Sequence, residues 1–384
     1  MKCKICNTKK INLSFFESPI SGYVCGSENE SITQKKFKHD FEFCPNCTML
    51  TYKYHEDAEL ILDRLYSDHT TTFYNTPEHN KYLKNFALNT INEYNLNKES
   101  KILEIGCNSG YTLSIFKDLC NCDVKGIEPS KSFKNIWRKL NLEVINHYFD
   151  NNVSKTLINE KFDVIILRHV FEHINDFVSF IENISKICTD STVLLIEVPY
   201  LKSVIERKRL ENISYSHRNY FSIKSMSVLL KKFNLGIIKC EEVDEDGGSI
   251  LYHIIKNKKN NLNLDNIEIE HVRTLIKCVE DKKNELKRKL EKYSINEIVG
   301  YGAGAKGQHL IHLLSLEEYM KSVVDDTPEY KCKFIPGTRI KIISNDELVE
   351  NKNIKAVINL APTHEIAIRK NVPKNIEFIN VIEN

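Results

Sequence analysis

The stretch that most constrains the fold is Lys101-Ile-Leu-Glu-Ile-Gly-Cys-Asn-Ser-Gly110. A short apolar run predicts a buried parallel strand, which ends in a glycine turn from Gly106 to Gly110 and precedes an amphipathic helix beginning near Thr112. Glycine lets the backbone approach a ligand closely, and exposed amides at a helix start favour a polar or anionic group. The next strand ends at Glu128, whose carboxylate can accept hydrogen bonds from both hydroxyls of a ribose. The pattern therefore predicts a nucleoside-binding, doubly wound sheet.

The spacing of the glycines distinguishes this loop from a dinucleotide-binding loop. Only Gly106 and Gly110 are present, and Glu104 lies within the strand, so the pattern G-x-G-x-x-G is absent. The segment E-I-G-C-N-S-G resembles the first motif of class I S-adenosylmethionine (SAM) methyltransferases, in which the loop packs against the methionine part of SAM. The resemblance implies that SAM is bound by Glu104, Gly106, Asn108, Gly110 and Glu128. The alternative is an ordinary strand-to-helix turn of an α/β domain.

Length and composition set the broad class of the protein. A chain of 384 residues is long for one hydrophobic core, so two or three domains are expected. The hydrophobic fraction of 41% and the charged fraction of 28% are typical of a soluble globular protein. A net charge of +2 gives no electrostatic case for binding nucleic acid or an anionic membrane. Without a long apolar run or a signal peptide, a cytoplasmic location is expected.

The first unit, residues 1–65, carries two C-x-x-C pairs separated by a long polar insert. The pairs are Cys3 with Cys6 and Cys44 with Cys47. Each pair directs two thiolates at one tetrahedral ion, so together they predict a closed zinc site that supports folding rather than catalysis. Twelve cysteines scattered along a long α/β chain favour thiols and a metal site over disulfides. Cys25 is an alternative ligand, and redox motifs or free thiols are the alternative interpretation.

The second unit, residues 66–256, alternates strands and helices regularly. The predicted strands lie near 101–106, 123–128, 162–167 and 192–198, with a hairpin near 236–256. His173 closes the run that follows the third of these strands, at the sheet edge where ligands bind in open α/β folds. If this run is helical, His169 and His173 share one face. The metal motif H-E-x-x-H is absent, so we interpret His173 as a pocket residue, the alternative being a surface histidine at a helix cap.

The segment from Ser214 to Ser222 is the best candidate for proton transfer. It contains three serines, two tyrosines and one histidine, and it lies just before a predicted helix. Imidazole has an unperturbed pKa near neutrality, so His217 could accept a proton with little adjustment. The alternative is that His217 only caps the helix that follows.

The remaining chain comprises a linker with a long helix, residues 257–295, and a last unit, residues 296–384. The last unit opens with a second strand–glycine–helix element, in which Lys306 can approach a phosphate at a helix N-terminus. A strand running into Asp325 follows. The pattern predicts a smaller Rossmann-like domain, whose alternative role is structural, with an empty nucleotide-like cleft.

Taken together, these segments resemble the sugar C-methyltransferase family, which acts on nucleotide-linked keto-sugars. The segments that match are the four cysteines, E-I-G-C-N-S-G, G-I-E-P-S at 126–130, H-R-N-Y-F-S at 217–222, D-G-G-S at 246–249, G-Y-G-A-G-A-K-G at 300–307 and P-G-T-R-I at 336–340. The resemblance covers nearly the whole chain. It implies a central Rossmann-like class I methyltransferase domain, a small N-terminal zinc-binding domain and a smaller C-terminal Rossmann-like domain.

The resemblance also implies a mechanism. A general base removes a proton from the carbon beside the sugar ketone, and the resulting enolate takes the methyl group of SAM. His217 falls at the position of the base, with Tyr215 and His173 as supporting donors. The family has glutamate before the base, and Ser216 stands there in this chain. Further departures are the displaced tyrosine, His169 in place of asparagine, and Ala361-Pro362 in place of Trp-Asn.

The sequence therefore favours a SAM-dependent methyltransferase that C-methylates a nucleotide-linked sugar, with SAM as cofactor and structural zinc. The nearest alternative is an O-methyltransferase acting on a sugar or a related phosphorylated substrate, which needs a base but no donor to an enolate. A non-catalytic binding protein would keep the zinc site and the glycine loops without binding SAM. An NAD-dependent oxidoreductase fits least, because the last unit is short for a full dinucleotide sheet. The sequence carries no signal for an oligomeric state.

Overall fold

The structure, a computed structural model, describes residues 1–53, 55–68, 77–244, 247–260 and 262–382. Over these residues the chain forms three β-sheets, of four, seven and five strands. Helices cover the two larger sheets, and this arrangement confirms the predicted α/β fold with a central class I methyltransferase domain and a smaller C-terminal Rossmann-like unit. Asp246 of the D-G-G-S motif lies outside the described residues.

The first sheet is antiparallel and draws its strands from two distant parts of the chain. The N-terminal elements are β1 (Ile11–Ser18), α1 (Glu28–Ile32), β2 (Phe37–Phe43), β3 (Leu50–Lys53) and α2 (Glu56–Asp68). The fourth strand is a short segment just after His217, in which Tyr220 pairs with Leu50 and Asn219 pairs with Thr51. The cysteine-rich unit and the predicted base are therefore joined through backbone hydrogen bonds.

The seven-stranded sheet forms the middle of the molecule. Its unit contains α3 (Pro77–Tyr94), β4 (Lys101–Ile105), α4 (Tyr111–Cys120), β5 (Asp123–Ile127), α5 (Lys134–Lys139), β6 (Glu143–Ile145), α6 (Asn151–Leu157), β7 (Val164–Arg168), α7 (Phe177–Ile187), β8 (Val193–Pro199), α8 (Leu201–Glu206), β9 (Asn219–Tyr220), α9 (Ile223–Lys231), β10 (Leu235–Val243) and β11 (Ser249–Lys256). The strand order is β6-β5-β4-β7-β8-β11-β10, and only β11 runs against its neighbours. The carboxyl ends of the parallel strands β4, β5 and β7 therefore lie side by side on the same side of the sheet.

The strand positions follow from the burial of the central strands. Both faces of β7 and β8 are covered by helices, so nearly every side chain is buried and each strand is a continuous apolar run. Such runs are visible in the sequence, and the predicted strands of this unit agree with the structure within two residues. The short edge strand β6 was not predicted, because its three residues are at most half-buried.

The C-terminal unit follows a long helix and is entirely parallel. Its elements are α10 (Ile269–Leu290), β12 (Ile298–Tyr301), α11 (Ala305–Leu313), β13 (Ser322–Val324), β14 (Lys341–Ile343), α12 (Asn345–Glu350), β15 (Ala356–Asn359), α13 (Glu365–Asn371) and β16 (Glu377–Asn380). The strand order is β14-β13-β12-β15-β16. Short 3₁₀ helices occur at Lys131–Phe133, Phe171–His173, Leu210–Asn212, Leu316–Glu318, Pro328–Tyr330 and Pro362–His364.

One hydrophobic core runs through all three units. Phe41 of the first sheet, Tyr220 of β9, Val272 of α10 and Leu310 of α11 belong to the same buried cluster. The three units therefore pack against one another and are not separate domains joined only by linkers. Divisions at residues 65, 256 and 295 stay a prediction. Within the described ranges, no helix is both long enough and apolar enough to cross a membrane.

Candidate active site

The glycine turn after β4 adopts backbone conformations that favour glycine. Gly106 and Gly110 have φ of +76° and +78°, and Asn108 between them has φ of +51°. A Cβ atom on Gly106 would lie 2.3 Å from Cγ2 of Val170, a β-branched side chain with little freedom to move. The turn therefore needs glycine for both its shape and its close packing.

Glu128 holds this turn from the end of the neighbouring strand. Its Oε2 accepts the amide of Asn108 and its Oε1 accepts the amide of Ser130, both at 2.9 Å. Asn146 donates to the carbonyl oxygen of Glu128 at 2.8 Å, which fixes the residue further. Burial raises the pKa of Glu128, while the two amides oppose that shift. The carboxylate thus lies directly beside the glycine turn.

Glu104 lies deeper, at the end of β4. Its side chain is buried, and burial raises its pKa to about 8 although the Arg168 guanidinium opposes the shift. Within the described residues, Oε2 of Glu104 accepts no hydrogen bond. A buried acceptor without a donor is costly, so this atom is suited to a ligand that carries an N–H group.

Two histidine rings lie together between β7 and β9. The ring centroids of His173 and His217 are 5.1 Å apart. Nδ1 of His173 lies 2.7 Å from the carbonyl oxygen of Ser216, and Nδ1 of His217 lies 3.0 Å from that of Asn212. A carbonyl oxygen only accepts, so each Nδ1 carries the proton and Nε2 is the remaining ring atom for other chemistry.

His217 is held in its neutral form. Burial and the neighbouring His173 lower its pKa to about 3, and the positive charge of Lys306 acts in the same direction. Glu172 opposes this shift. A neutral imidazole whose Nδ1 donates to a carbonyl has an unprotonated Nε2, the form a general base requires, but so low a pKa makes it a weak base. The expectation that His217 accepts a proton with little adjustment is therefore not met, and Glu172 is the neighbouring group that raises its basicity.

A buried network of charges surrounds the two histidines. Nε of Arg168 donates to Glu197 at 2.7 Å, and the Tyr82 hydroxyl donates to the same oxygen at 2.9 Å. His169 lies 3.4 Å from both Glu172 and Glu197, and these carboxylates outweigh burial and raise its pKa to about 10. The sequence did not single out Arg168, Glu172 or Glu197, although Arg168 ends β7, Glu172 lies in the 3₁₀ helix that follows, and Glu197 lies near the end of β8, at the sheet edge where ligands bind.

The prediction that His169 and His173 share a helical face does not match the structure. His169 has a left-handed backbone with φ of +52°, and the 3₁₀ helix begins only at Phe171. The two histidines nevertheless meet at one carboxylate, since His173 Nε2 lies 3.8 Å from Oε1 of Glu172.

Tyr215 is directed toward the N-terminal unit. Its ring centroid lies 5.0 Å from that of His39, 5.5 Å from Tyr52 and 5.9 Å from Phe37. Burial raises the pKa of Tyr215 to about 12, so the phenol stays protonated. These contacts place the ring in the junction between the first sheet and the His217 segment, and its role as a donor stays a prediction.

The second glycine loop faces the same region. The amides of Ala303 and Thr327 donate to Asp325 at 2.7 Å and 3.0 Å, as the first loop donates to Glu128. A Cβ atom on Gly304 would meet nothing within 4 Å, so the backbone at the start of α11 is open. Lys306, in the first turn of that helix, is close enough to influence the pKa of His217.

The four predicted zinc ligands come together in the first unit. The Sγ atoms of Cys3 and Cys47 are 3.5 Å apart, and those of Cys6 and Cys44 are 3.4 Å apart. All four lie within 4.8 Å of one another. Four sulfur ligands around zinc, each at about 2.3 Å, would be separated by a little under 4 Å. Cys25 lies apart from this cluster. Its backbone forms an isolated antiparallel β-bridge with that of Phe334 in the C-terminal unit.

Comparison with known proteins gives two family matches along the chain. Residues 79–239 match a methyltransferase domain, and residues 245–378 match the C-methyltransferase C-terminal domain. The C-methyltransferase NovU of Streptomyces niveus is 21% identical over 357 residues, which cover 87% of this chain and 83% of that protein.

Solved structures resemble about half of the chain. A SAM-dependent methyltransferase from Clostridium acetobutylicum is 13% identical, covers 46% of this chain and 92% of its own, and has a TM-score of 0.37. A SAM-dependent methyltransferase from Archaeoglobus fulgidus is 17% identical, covers 54% of this chain and 88% of its own, and has a TM-score of 0.35.

Proposed function

Because the chain is a SAM-dependent methyltransferase that carries the C-methyltransferase C-terminal domain, we propose that it methylates a carbon beside the ketone of a nucleotide-linked keto-sugar. The observation that carries this proposal is His217, whose Nδ1 is bonded to the carbonyl oxygen of Asn212, whose Nε2 is left for chemistry, and whose pKa is influenced by Lys306 of the second glycine loop. The name of the relative from Streptomyces niveus, a C-methyltransferase, supports carbon as the acceptor.

The first glycine turn fits SAM. When bound, SAM supplies a methyl group on a positively charged sulfur. Glu128 is placed to accept the ribose hydroxyls, and its oxygens keep acceptor capacity beyond the two amides. Glu104 offers a buried acceptor that suits the ammonium group of the methionine part. Gly106, Asn108 and Gly110 let the backbone lie against the ligand.

The second glycine loop supports a substrate that carries phosphate. The first turn of α11 exposes backbone amides at Gly304 and carries Lys306, and such a helix start attracts anions. Lys306 influences the pKa of His217, so in this proposal the phosphate and the reacting carbon of the substrate bind on the same side of the two loops. A nucleotide-linked sugar has this arrangement of phosphate and reacting carbon.

His217 acts as the base in this proposal. Its Nε2 takes the proton from the carbon beside the ketone, which gives that carbon the electron pair for the incoming methyl group. Nδ1 remains bonded to the carbonyl oxygen of Asn212, so the ring keeps its orientation while its charge changes. Glu172 then lies close enough to offset the positive charge, a role that the missing glutamate at Ser216 would otherwise have.

Substitution of His217 by asparagine tests the base. The side-chain amide of His217→Asn can still donate to Asn212, but the Nε2 atom is lost. We expect turnover to fall by at least about a hundredfold while SAM affinity changes little. His271→Asn, on the exposed side of α10, is the matched control. Near-normal turnover of His217→Asn would remove His217 from the mechanism.

A second candidate is O-methylation of a sugar or a related phosphorylated substrate. The contacts of the Tyr215 ring with the first sheet favour it, since O-methylation needs a base but no donor to an enolate oxygen. Mass spectrometry of nucleotide-linked keto-sugars, incubated with the enzyme in deuterated water with and without SAM, separates the two. Deuterium beside the ketone and a methyl group on carbon support C-methylation. A methyl ether without exchange supports the alternative.

We also propose that the four-cysteine cluster binds structural zinc. A closed set of four thiolates leaves no position for a substrate, and Cys44 and Cys47 lie next to Met49 in the core that supports the methyltransferase unit. Metal analysis should find one zinc per chain in the native protein. Cys44→Ser should lose the zinc and lower the melting temperature, whereas Cys332→Ser, an exposed thiol, should do neither.

A further inference from the structure

Three metal-ligating side chains converge inside the candidate site. Glu172, His173 and His217 each offer one ligand atom, and these atoms lie within 4.8 Å of one another. We propose that these residues form a second metal site, which takes a divalent transition-metal ion, Zn²⁺ in the first place. We further propose that the ion inhibits the enzyme, because it occupies the Nε2 of His217 that removes the substrate proton. The proposal that the ion inhibits the enzyme rests on the proposed function, whereas the proposal that the ion binds does not.

The two histidines are arranged as ligands usually are. Nδ1 of each ring donates to a backbone carbonyl, that of Ser216 for His173 and that of Asn212 for His217. Metal-binding histidines commonly have this arrangement, in which one nitrogen is fixed by a backbone carbonyl or a carboxylate and the other coordinates the metal. The hydrogen bonds also fix the tautomer, so coordination through Nε2 requires no loss of a proton from Nδ1.

The carboxylate of Glu172 is the third ligand of this site. Glu172 is 1% exposed, and within the described residues neither of its oxygens accepts a hydrogen bond. His169, whose pKa is raised, lies 3.4 Å from Oε1 of Glu172, and Nε2 of His173 lies 3.8 Å from the same oxygen, both longer than a charged hydrogen bond. A buried carboxylate is costly unless it is paired or bound to a metal, and an ion between Glu172 and the two rings would satisfy it.

The donor set and its size suit zinc. Two imidazoles and one carboxylate are a common ligand set for zinc, and they leave a fourth position for water. Tetrahedral ligands about 2.0–2.1 Å from zinc are a little more than 3 Å apart, so the three ligand atoms, now within 4.8 Å of one another, need to approach one another on binding. Lys306 is the charge that opposes binding, and we therefore expect weaker affinity here than at the four thiolates.

Cobalt reports this site without any turnover. Protein already carrying one zinc at the four cysteines would be titrated with Co²⁺ and its visible spectrum recorded. We expect one further cobalt per chain, with absorption bands of nitrogen and oxygen ligands and without thiolate-to-cobalt charge transfer. Absence of this cobalt, or a spectrum with thiolate charge transfer, would overturn the proposed site.

Matched variants locate the bound ion. His173→Asn keeps a donor toward Ser216 and removes Nε2, and Glu172→Gln keeps the shape while removing the charge. Each should weaken cobalt binding by at least about a hundredfold. Glu241→Gln changes a second carboxylate–histidine group at the sheet edge and should leave this cobalt unaffected. Circular dichroism identifies any variant that fails to fold, and competition of Zn²⁺ against cobalt in the wild type keeps the test independent of the variants.

An activity measurement tests separately whether the bound ion inhibits the enzyme. Added Zn²⁺ should stop deuterium exchange at the concentration at which it displaces cobalt, and a chelator too weak to strip the four cysteines should restore exchange. Displacement of cobalt with undiminished exchange would overturn inhibition while leaving the metal site. Absence of exchange even in metal-free conditions would count against the proposed function, and the cobalt titration would still decide the site.

Discussion

The chain turns from a parallel strand into a helix through glycine at two places, Gly106–Gly110 and Gly302–Gly307. In each place, the carboxylate of an acidic residue at the end of the next strand accepts two backbone hydrogen bonds. One comes from an N–H group of the glycine loop, and the other comes from the N–H group two residues after the acidic residue. The contacts are Asn108 and Ser130 with Glu128, and Ala303 and Thr327 with Asp325. The two loops share this bridge although they are not repeats in sequence.

The two loops differ in what surrounds them. Val170 and Leu142 lie against the glycines of the first loop, so an added Cβ would come within 2.3 Å and 2.4 Å of them. In the second loop Gly302 and Gly307 are packed just as closely, and only Gly304, two residues before Lys306, has open space. An acid–amide bridge therefore builds the turn in both loops, and the open position at the start of α11 is the feature behind the proposal that the second loop binds phosphate while the first binds SAM.

The largest effect is expected from a methyl group in the first loop. Gly106→Ala places a Cβ against Val170 and forces alanine into a left-handed backbone, two costs of about 1–2 kcal/mol or more each. We expect SAM affinity, measured by calorimetry, to fall by at least about a hundredfold. Gly304→Ala enters open space at an ordinary φ of −67° and should leave SAM affinity unchanged. Equal effects of the two changes would show that the loops are not specialised.

The next effect concerns the two acids. Glu128→Gln removes the charge that accepts the ribose hydroxyls, and a hydrogen bond to a charged group contributes about 1.5–3 kcal/mol. SAM affinity should therefore fall by about ten- to a hundredfold. Asp325→Asn alters the equivalent bridge of the second loop and should leave the dissociation constant of SAM within a factor of about two. If SAM binding depends on Asp325 as strongly as on Glu128, the assignment of the first loop is wrong.

Lys306 should affect the substrate alone. Lys306→Met keeps the length of the side chain and removes its charge, so the KM for a nucleotide-linked sugar should rise by about tenfold. The effect should diminish at high salt, because screening weakens the same attraction in the wild type. The SAM dissociation constant serves as the internal control. An unchanged KM would place the phosphate away from the second loop.

The smallest effect is expected on the stability of the folded protein at acidic pH, through the histidines of α11, the helix that follows the second loop. Burial lowers the pKa of His309 to about 3 and that of His312 to about 4, and both lie on α11, whereas α4 has no histidine. Between pH 6.5 and about 4 the unfolded chain binds protons that the folded chain does not, so stability falls as the pH falls. We expect the melting temperature to drop between pH 7 and pH 5, and His309→Gln to reduce that drop by a few degrees (~2–4 °C). An identical drop in the variant would contradict this assignment.

The sequence predicted those parts of the fold whose signal is local. Strands β4, β7 and β8 are buried on both faces, and their apolar runs identify them without knowledge of their neighbours. The glycine turn after β4 and the acid after β5 were visible for the same reason. The four cysteines were visible as a set because each C-x-x-C pair lies within four residues, and the structure brings all four sulfur atoms within 4.8 Å of one another.

Features that depend on distant contacts were not predicted. Strands β1 and β2 lie in the polar insert between the cysteine pairs, where one face is exposed and the pattern is weak. The contacts of the Tyr215 ring with His39 and Tyr52 of the first sheet join segments distant in sequence, and no local pattern shows them. Glu172 became a candidate only when the fold placed His217 beside it.

The two residue pairs between β3 and β9 set the order in which the protein can mature. Leu50 leaves the ribosome long before its partner Tyr220 exists, so the edge of the cysteine-rich sheet must wait, unpaired, while the whole nucleoside-binding half is made. The base at His217 is fixed only when this long loop closes, a step that is slow for contacts so distant in sequence. Because β10 and β11 of the central sheet emerge only after Tyr220, the cysteine-rich sheet and the central sheet would both be completed late in synthesis, and neither would be finished long before the other.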